Sequence, residues 1–97
     1  MVRYIILLSF TDQGIRNVKQ TVKRAKAFKT TADKFRAKLK DLYWTQGAYD
    51  LVGTLEVPSE ETAMSLLLAL GSLGNVRSQT LRAFSADEME RVIAKMK

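Results

Sequence analysis

Two runs rich in aromatic and β-branched residues, one ending in Tyr43-Trp44-Thr45 and one covering Tyr49 to Val57, flank a short Gln46-Gly47 connection, and Pro58 closes the second run. This pattern specifies a β-hairpin. The turn calls for glycine's positive φ, and proline, which cannot donate to a ladder, ends the second strand. The hairpin is the centre of one sheet, and the other elements must be found on either side of it. Lys38 to Thr45 forms its first arm, with Leu42 and Trp44 on one side and Asp41, Tyr43 and Thr45 on the other. In the second arm, Tyr49, Leu51, Gly53, Leu55 and Val57 share a face, and Asp50, Val52, Thr54 and Glu56 share the more polar one.

Val2 to Phe10 is almost continuously apolar, where a strand with one wet face would alternate. Both of its faces should be covered. A chain of 97 residues has too few elements of its own to cover both, which makes a second subunit the expected lid. Thr11-Asp12-Gln13-Gly14 reads as a loop that caps a helix. Ile15, Val18, Val22, Ala25, Phe28, Ala32 and Phe35 then recur at spacings of three and four, the mark of one amphipathic helix from Ile15 to Arg36. Its other face carries Arg16, Lys19, Lys23, Arg24, Lys26, Lys29, Lys34 and Arg36, most of a net charge of +6.

Beyond Pro58, Ser59 is the N-cap of a helix with Glu60 and Glu61 in its first turn, and the leucine-rich run stops at Gly74. Asn75 to Phe84 is a fourth strand whose Arg77, Gln79 and Arg82 are more polar than an interior strand tolerates. Ser85 caps a terminal helix with Met89, Val92, Ile93 and Met96 on one side and basic Lys95 and Lys97 at its end. The order β-α-β-β-α-β-α makes residues 1–97 one α+β domain. Split β-α-β units with right-handed crossovers give a ferredoxin-like four-stranded antiparallel sheet with two helices on one face.

Composition removes whole classes of chemistry. With no cysteine there is no disulfide frame or thiol nucleophile, and with no histidine the commonest general base and metal ligand are missing. Neither a metal nor a cofactor is expected. Tyr4 to Leu8 is too short to span a bilayer and lacks a cleavage signature, so the expected location is cytoplasmic and no membrane partner is expected.

Thr11-Asp12-Gln13-Gly14, Lys23-Arg24-Ala25, Tyr43 ahead of Gly47-Ala48-Tyr49-Asp50, and Leu73-Gly74-Asn75-Val76-Arg77 running on to Arg82-Ala83-Phe84 together resemble the GYD-domain family of small bacterial and archaeal proteins. The resemblance spans nearly the whole chain. It implies a fold similar to the dimeric α/β barrel proteins, in which two ferredoxin-like sheets face each other. Small monooxygenases, isomerases and ligand-sensing modules share that arrangement.

The candidate ligand-binding residues are Tyr43, Tyr49, Asp50, Glu56, Arg77 and Arg82. Carboxylates, hydroxyls and an arginine converging on a covered sheet face would suit a small polar or anionic ligand. The plain structural alternative is that Asp50 caps the turn or pairs with a strand arginine. Arg77 and Arg82 have opposite parity, so at most one reaches the space between two sheets, and an internal pair with Asp50 or Glu56 is the favoured role. The expected function is a homo-oligomeric small-molecule binding or sensing module. A cofactor-independent enzyme of the monooxygenase or isomerase type is the alternative, and it would need Asp50, Glu56 or a tyrosine as its acid or base. Nucleic acid is not an expected partner. The basic residues lie on a helix, and the third strand offers Gly53 and Leu55 where RNA-recognition modules place stacking aromatics, which leaves only weak nonspecific polyanion binding.

Overall fold

In the computed structural model, which describes residues 1–96, the chain runs β1 (Val2–Phe10), α1 (Asp12–Arg16), a 3-10 turn (Val18–Gln20), α2 (Thr21–Lys34), β2 (Lys38–Trp44), β3 (Leu51–Val57), α3 (Glu60–Ser72), β4 (Val76–Ala83) and α4 (Ala86–Ala94). The four strands form one sheet in the order β2-β3-β1-β4, with every neighbouring pair antiparallel. This is the ferredoxin-like order. It also explains the polarity of β4, which lies on an edge. Lys97, expected at the basic end of the last helix, lies outside the described residues.

One face of the sheet carries the core. Ile6 and Leu8 of β1 meet Leu51, Leu55 and Val57 of β3, and Phe28 and Ala32 of α2 and Ala63 and Leu66 of α3 close over them. The strict alternation of burial along β3 follows from its period-2 pattern, with the even-numbered residues Val52, Thr54 and Glu56 turned to the other side.

The hairpin expected at the centre of the sheet lies at one side of it, with β2 an edge strand and both β1 and β4 beyond β3. Three further features depart from the sequence reading. First, the single helix expected from Ile15 to Arg36 is broken at Asn17 (φ −104°, ψ 29°). Gly14 comes so close to the entry of β4 that a Cβ there would sit 1.9 Å from the Asn75 carbonyl oxygen, so α1 packs backbone to backbone on a line that α2 does not continue. The break leaves Ile15 and Val22 exposed, and only the far half of the apolar stripe, Phe28 and Ala32, is buried.

Second, β2 carries a bulge between Lys40 and Tyr43, with Asp41 at φ 51°. The extra residue lets Leu39 and Leu42 both reach the core side while Lys40 and Tyr43 both stay on the other. Third, the hairpin loop is longer than Gln46-Gly47. The strands stop at Trp44 and resume at Leu51, and Tyr49 and Asp50 belong to the loop and not to β3. The Thr45 amide donates to the Asp50 carbonyl (2.8 Å), the Thr45 hydroxyl donates to the Tyr49 carbonyl (2.7 Å), and Gly47 takes φ 113° at the tip.

Ser59 and Ser85 cap α3 and α4 as expected, and at α4 the Glu88 carboxylate also accepts from the Ser85 amide, completing a capping box. The α4 helix has no buried residue. The radius of gyration is 14.6 Å, against about 12.5 Å for a compact domain of this length. Among the described residues, no helix is long and apolar enough to cross a membrane.

Candidate functional site

The stretches singled out along the sequence meet at one end of the sheet, where β1 finishes and β3 and β4 begin. Asp50 takes the centre. Its carboxylate accepts the Phe10 amide (2.8 Å), and its own amide donates to the Leu8 carbonyl (2.8 Å), so it clamps the hairpin loop to the last residues of β1. One step on, the Thr11 amide donates to the Asn75 carbonyl, and the Thr11 hydroxyl bridges the Gly74 carbonyl and the Gly14 amide. The Gln13 amide group donates to the Leu73 carbonyl and to Asn75 Oδ1. Arg24 closes the cluster from α2. Its Nη1 donates to the Asn17 carbonyl (2.7 Å), which also accepts the Gln20 amide, and its Nη2 to the Gly14 carbonyl (3.2 Å), so one side chain braces both sides of the helix break.

The face of the sheet away from the helices forms a second surface. Leu7 lies opposite Val52, and Ile5 opposite Leu81, giving an apolar patch across three strands. At one end of it, Arg3 is the hub of an ion cluster, with Nη2 3.0 Å from Glu56 and Nη1 3.0 Å from Glu88, while Lys40 Nζ lies 2.9 Å from Glu56. Hydrogen bonding from Lys40 first, and then from Arg3, holds the Glu56 carboxyl below its ordinary 4.5. The Glu88 carboxyl is likewise held down, chiefly by the backbone and hydroxyl of Ser85 at the helix start. At the other end, Tyr49 reaches across β1 from its loop, and its hydroxyl donates to Gln79 on β4 (2.8 Å).

The six candidate residues are therefore divided. Tyr43, Tyr49, Glu56 and Arg77 belong to the open face, Tyr43 and Arg77 at its exposed margins. Asp50 faces the β1 backbone. Arg82 pairs in register with Tyr4, on the helix side, and its guanidinium stacks 4.5 Å from the Phe84 ring. The expected pairing of Arg77 or Arg82 with Asp50 or Glu56 does not form. Arg3, directly opposite Glu56, takes that place because a cross-strand neighbour needs no reach. Sequence reasoning passed over Arg3 because it sits in a strand read as a continuous apolar run. A single charge inside such a run was the available signal. Arg24 was hidden among the eight basic residues assigned to one face of the first helix. No group of three or more acidic side chains that could hold a metal ion occurs among the described residues.

A third feature lies on the helix side, where α2 and α3 splay apart over the sheet. They leave a cleft of about 400 Å³ beside the Gly14–Asn75 junction, lined mostly by apolar side chains, with Thr21, Arg24, Thr31 and Asn75 as its polar members.

The family model of the GYD domain matches residues 4–93. The chain belongs to the GYD domain family. A relative in Thermus thermophilus, 28% identical over the full length of both chains, bears the name glutamine synthetase and cystathionine beta-lyase binding protein. A crystal structure of a protein from the same species superposes with a TM-score of 0.57 at 23% identity, covering 89% of this chain and 96% of that one, and shares the fold. The residues Gly47, Tyr49 and Asp50 of this GYD domain hold one loop together. Glycine supplies the positive φ at the tip, tyrosine ties the loop to β4, and aspartate ties it to β1.

Proposed function

We propose that this GYD domain is a non-catalytic protein-binding module that docks on folded enzymes through the apolar stripe of α4. The observation that carries the reading is the exposure of that stripe. Met89, Val92 and Ile93 are 42% to 53% exposed on a helix whose start is held by a capping box and by the Arg3–Glu88 ion pair, and Met96, just past its end, extends the stripe at 75% exposure. An ordered amphipathic helix whose apolar stripe the described residues leave uncovered is the kind of element that groove-bearing proteins receive. Both carboxylates of the open face are paired and held in the ionised state, which is the wrong condition for general acid catalysis near neutral pH. The relative's name, with its two enzyme partners, supports the same class of role. In this reading the open sheet face takes a second copy of the chain, and the α4 helices of the pair remain free for partners.

The test is direct binding to purified glutamine synthetase and cystathionine β-lyase of the same cell, read by biolayer interferometry. Binding to at least one, lost in Ile93→Glu while the far-UV spectrum is kept, is the expected result. Binding to neither enzyme, or equal binding by the Ile93→Glu variant, overturns the proposal.

A further inference from the structure

The cleft between α2 and α3 is independent of the partner-binding surfaces and has the makings of a small-molecule site. Its floor is the core side of the sheet, with Leu8, Leu51 and Val76, and its walls are Phe28 of α2 and Leu70 of α3. At about 400 Å³ it falls within the range of small-ligand sites, roughly 300 to 1,000 Å³. Among the described residues, Arg24 is the one charged residue that lines it. Two of its five N–H donors are spent on the Asn17 and Gly14 carbonyls, which orient the guanidinium without neutralising it. No carboxylate among the described residues lies within ion-pair distance of Arg24. An apolar cleft with one oriented, uncompensated cation at its edge is complementary to one kind of molecule, an anionic head on an apolar tail.

We propose that the α2–α3 cleft binds a medium-chain aliphatic carboxylate, with the tail between Phe28 and Leu70 and the carboxylate on Arg24. The hydrophobic contribution comes from water leaving the cleft walls, and the selectivity for an acid comes from the remaining guanidinium donors. A reporter is built in. Trp44 is the single tryptophan of the chain, and its indole N–H donates to the hydroxyl of Thr21, a residue lining the same cleft.

Titration of the full chain with decanoate below its micelle concentration, followed by Trp44 fluorescence, is expected to give a saturable change, with decanol binding more weakly. Arg24→Gln should weaken decanoate by about tenfold or more while leaving decanol unchanged, since an ionic hydrogen bond is lost and the apolar contacts are not. Ala25→Phe fills the cleft and should abolish both signals at an undiminished melting temperature. This second variant keeps the test sharp if Arg24→Gln loosens the α1 junction. An absence of saturable binding, or an Arg24→Gln variant that binds decanoate as the parent does, overturns the proposal. So does a self-association that Ala25→Phe disrupts and decanoate does not affect, which would mean that a second copy fills the cleft.

Discussion

Asp50 illustrates how one residue's role is set by its nearest donor. A carboxylate beside two strand arginines invites an ion pair, yet the group it meets is the Phe10 amide at 2.8 Å. Asp50→Asn retains an acceptor of the same shape and loses only the charge assistance. It should cost about 1 kcal/mol in urea unfolding, well short of what an abandoned buried cation would cost. Asp50→Ala leaves the amide without its partner and should cost more, about 2 kcal/mol. If the two variants prove equally stable, the Phe10 contact is not what holds the loop. Gly14 is the less forgiving neighbour. Its hydrogen stands where a Cβ would collide with the Asn75 carbonyl oxygen, a backbone atom that cannot rotate away. Gly14→Ala should therefore cost on the order of 3 kcal/mol, and an unchanged urea midpoint would show that the α1–β4 contact opens freely.

Among the elements, α4 and the edge of the open face are joined through Arg3. Glu56 and Glu88 both have folded-state pKa values depressed below 4.5, so their contribution to stability is complete above the unfolded value and disappears as the pH falls through the folded one. The melting temperature should fall as the pH drops below about 4.5. The Glu56→Gln variant, which has no charge to lose at that position, should show a shallower fall over the same window, and an identical profile would remove Glu56 as a source. The α4 helix itself has no buried residue and is held at its start by Ser85. Ser85→Ala should cost the helix about 1 kcal/mol and speed hydrogen exchange at α4 amides while leaving the sheet core unaffected. A matching loss across β1 and β3 would mean that α4 is part of the core's cooperative unit.

Viewed as a whole molecule, the sheet is covered on one side only. On the other, Ile5, Leu7, Val52 and Leu81 form a patch bounded by ionic and tyrosine contacts, a composition that resembles an interface more than a water-facing sheet. Light scattering at micromolar concentration is expected to give the mass of a dimer. Leu81→Glu, a change on an exposed edge-strand position with little to lose in the monomer, should give the mass of one chain with an unaltered spectrum. A parent protein that already runs as a monomer would contradict the pairing of two sheets.

Periodicity determined the elements. Alternation in β3, the almost continuous apolar run of β1, the serine caps of α3 and α4 and the polarity of the β4 edge are all local properties, written in neighbouring residues and governed by backbone sterics and burial. Of the family motif only the glycine turn was legible in the same way; that Tyr49 and Asp50 belong to the loop was not, because their side chains find their partners on β4 and β1. Tertiary structure decided everything that depends on meeting across the chain. Helix periodicity between Ile15 and Arg36 yielded to the Gly14–Asn75 approach, and the bulge at Asp41 came from the need to bring both Leu39 and Leu42 to the core. Glu56 took Arg3 in preference to the strand arginines because register placed Arg3 directly opposite. A hydrogen bond or an ion pair goes to whichever partner lies within about 3 Å, and that distance is set by register and packing, which no short stretch of sequence encodes.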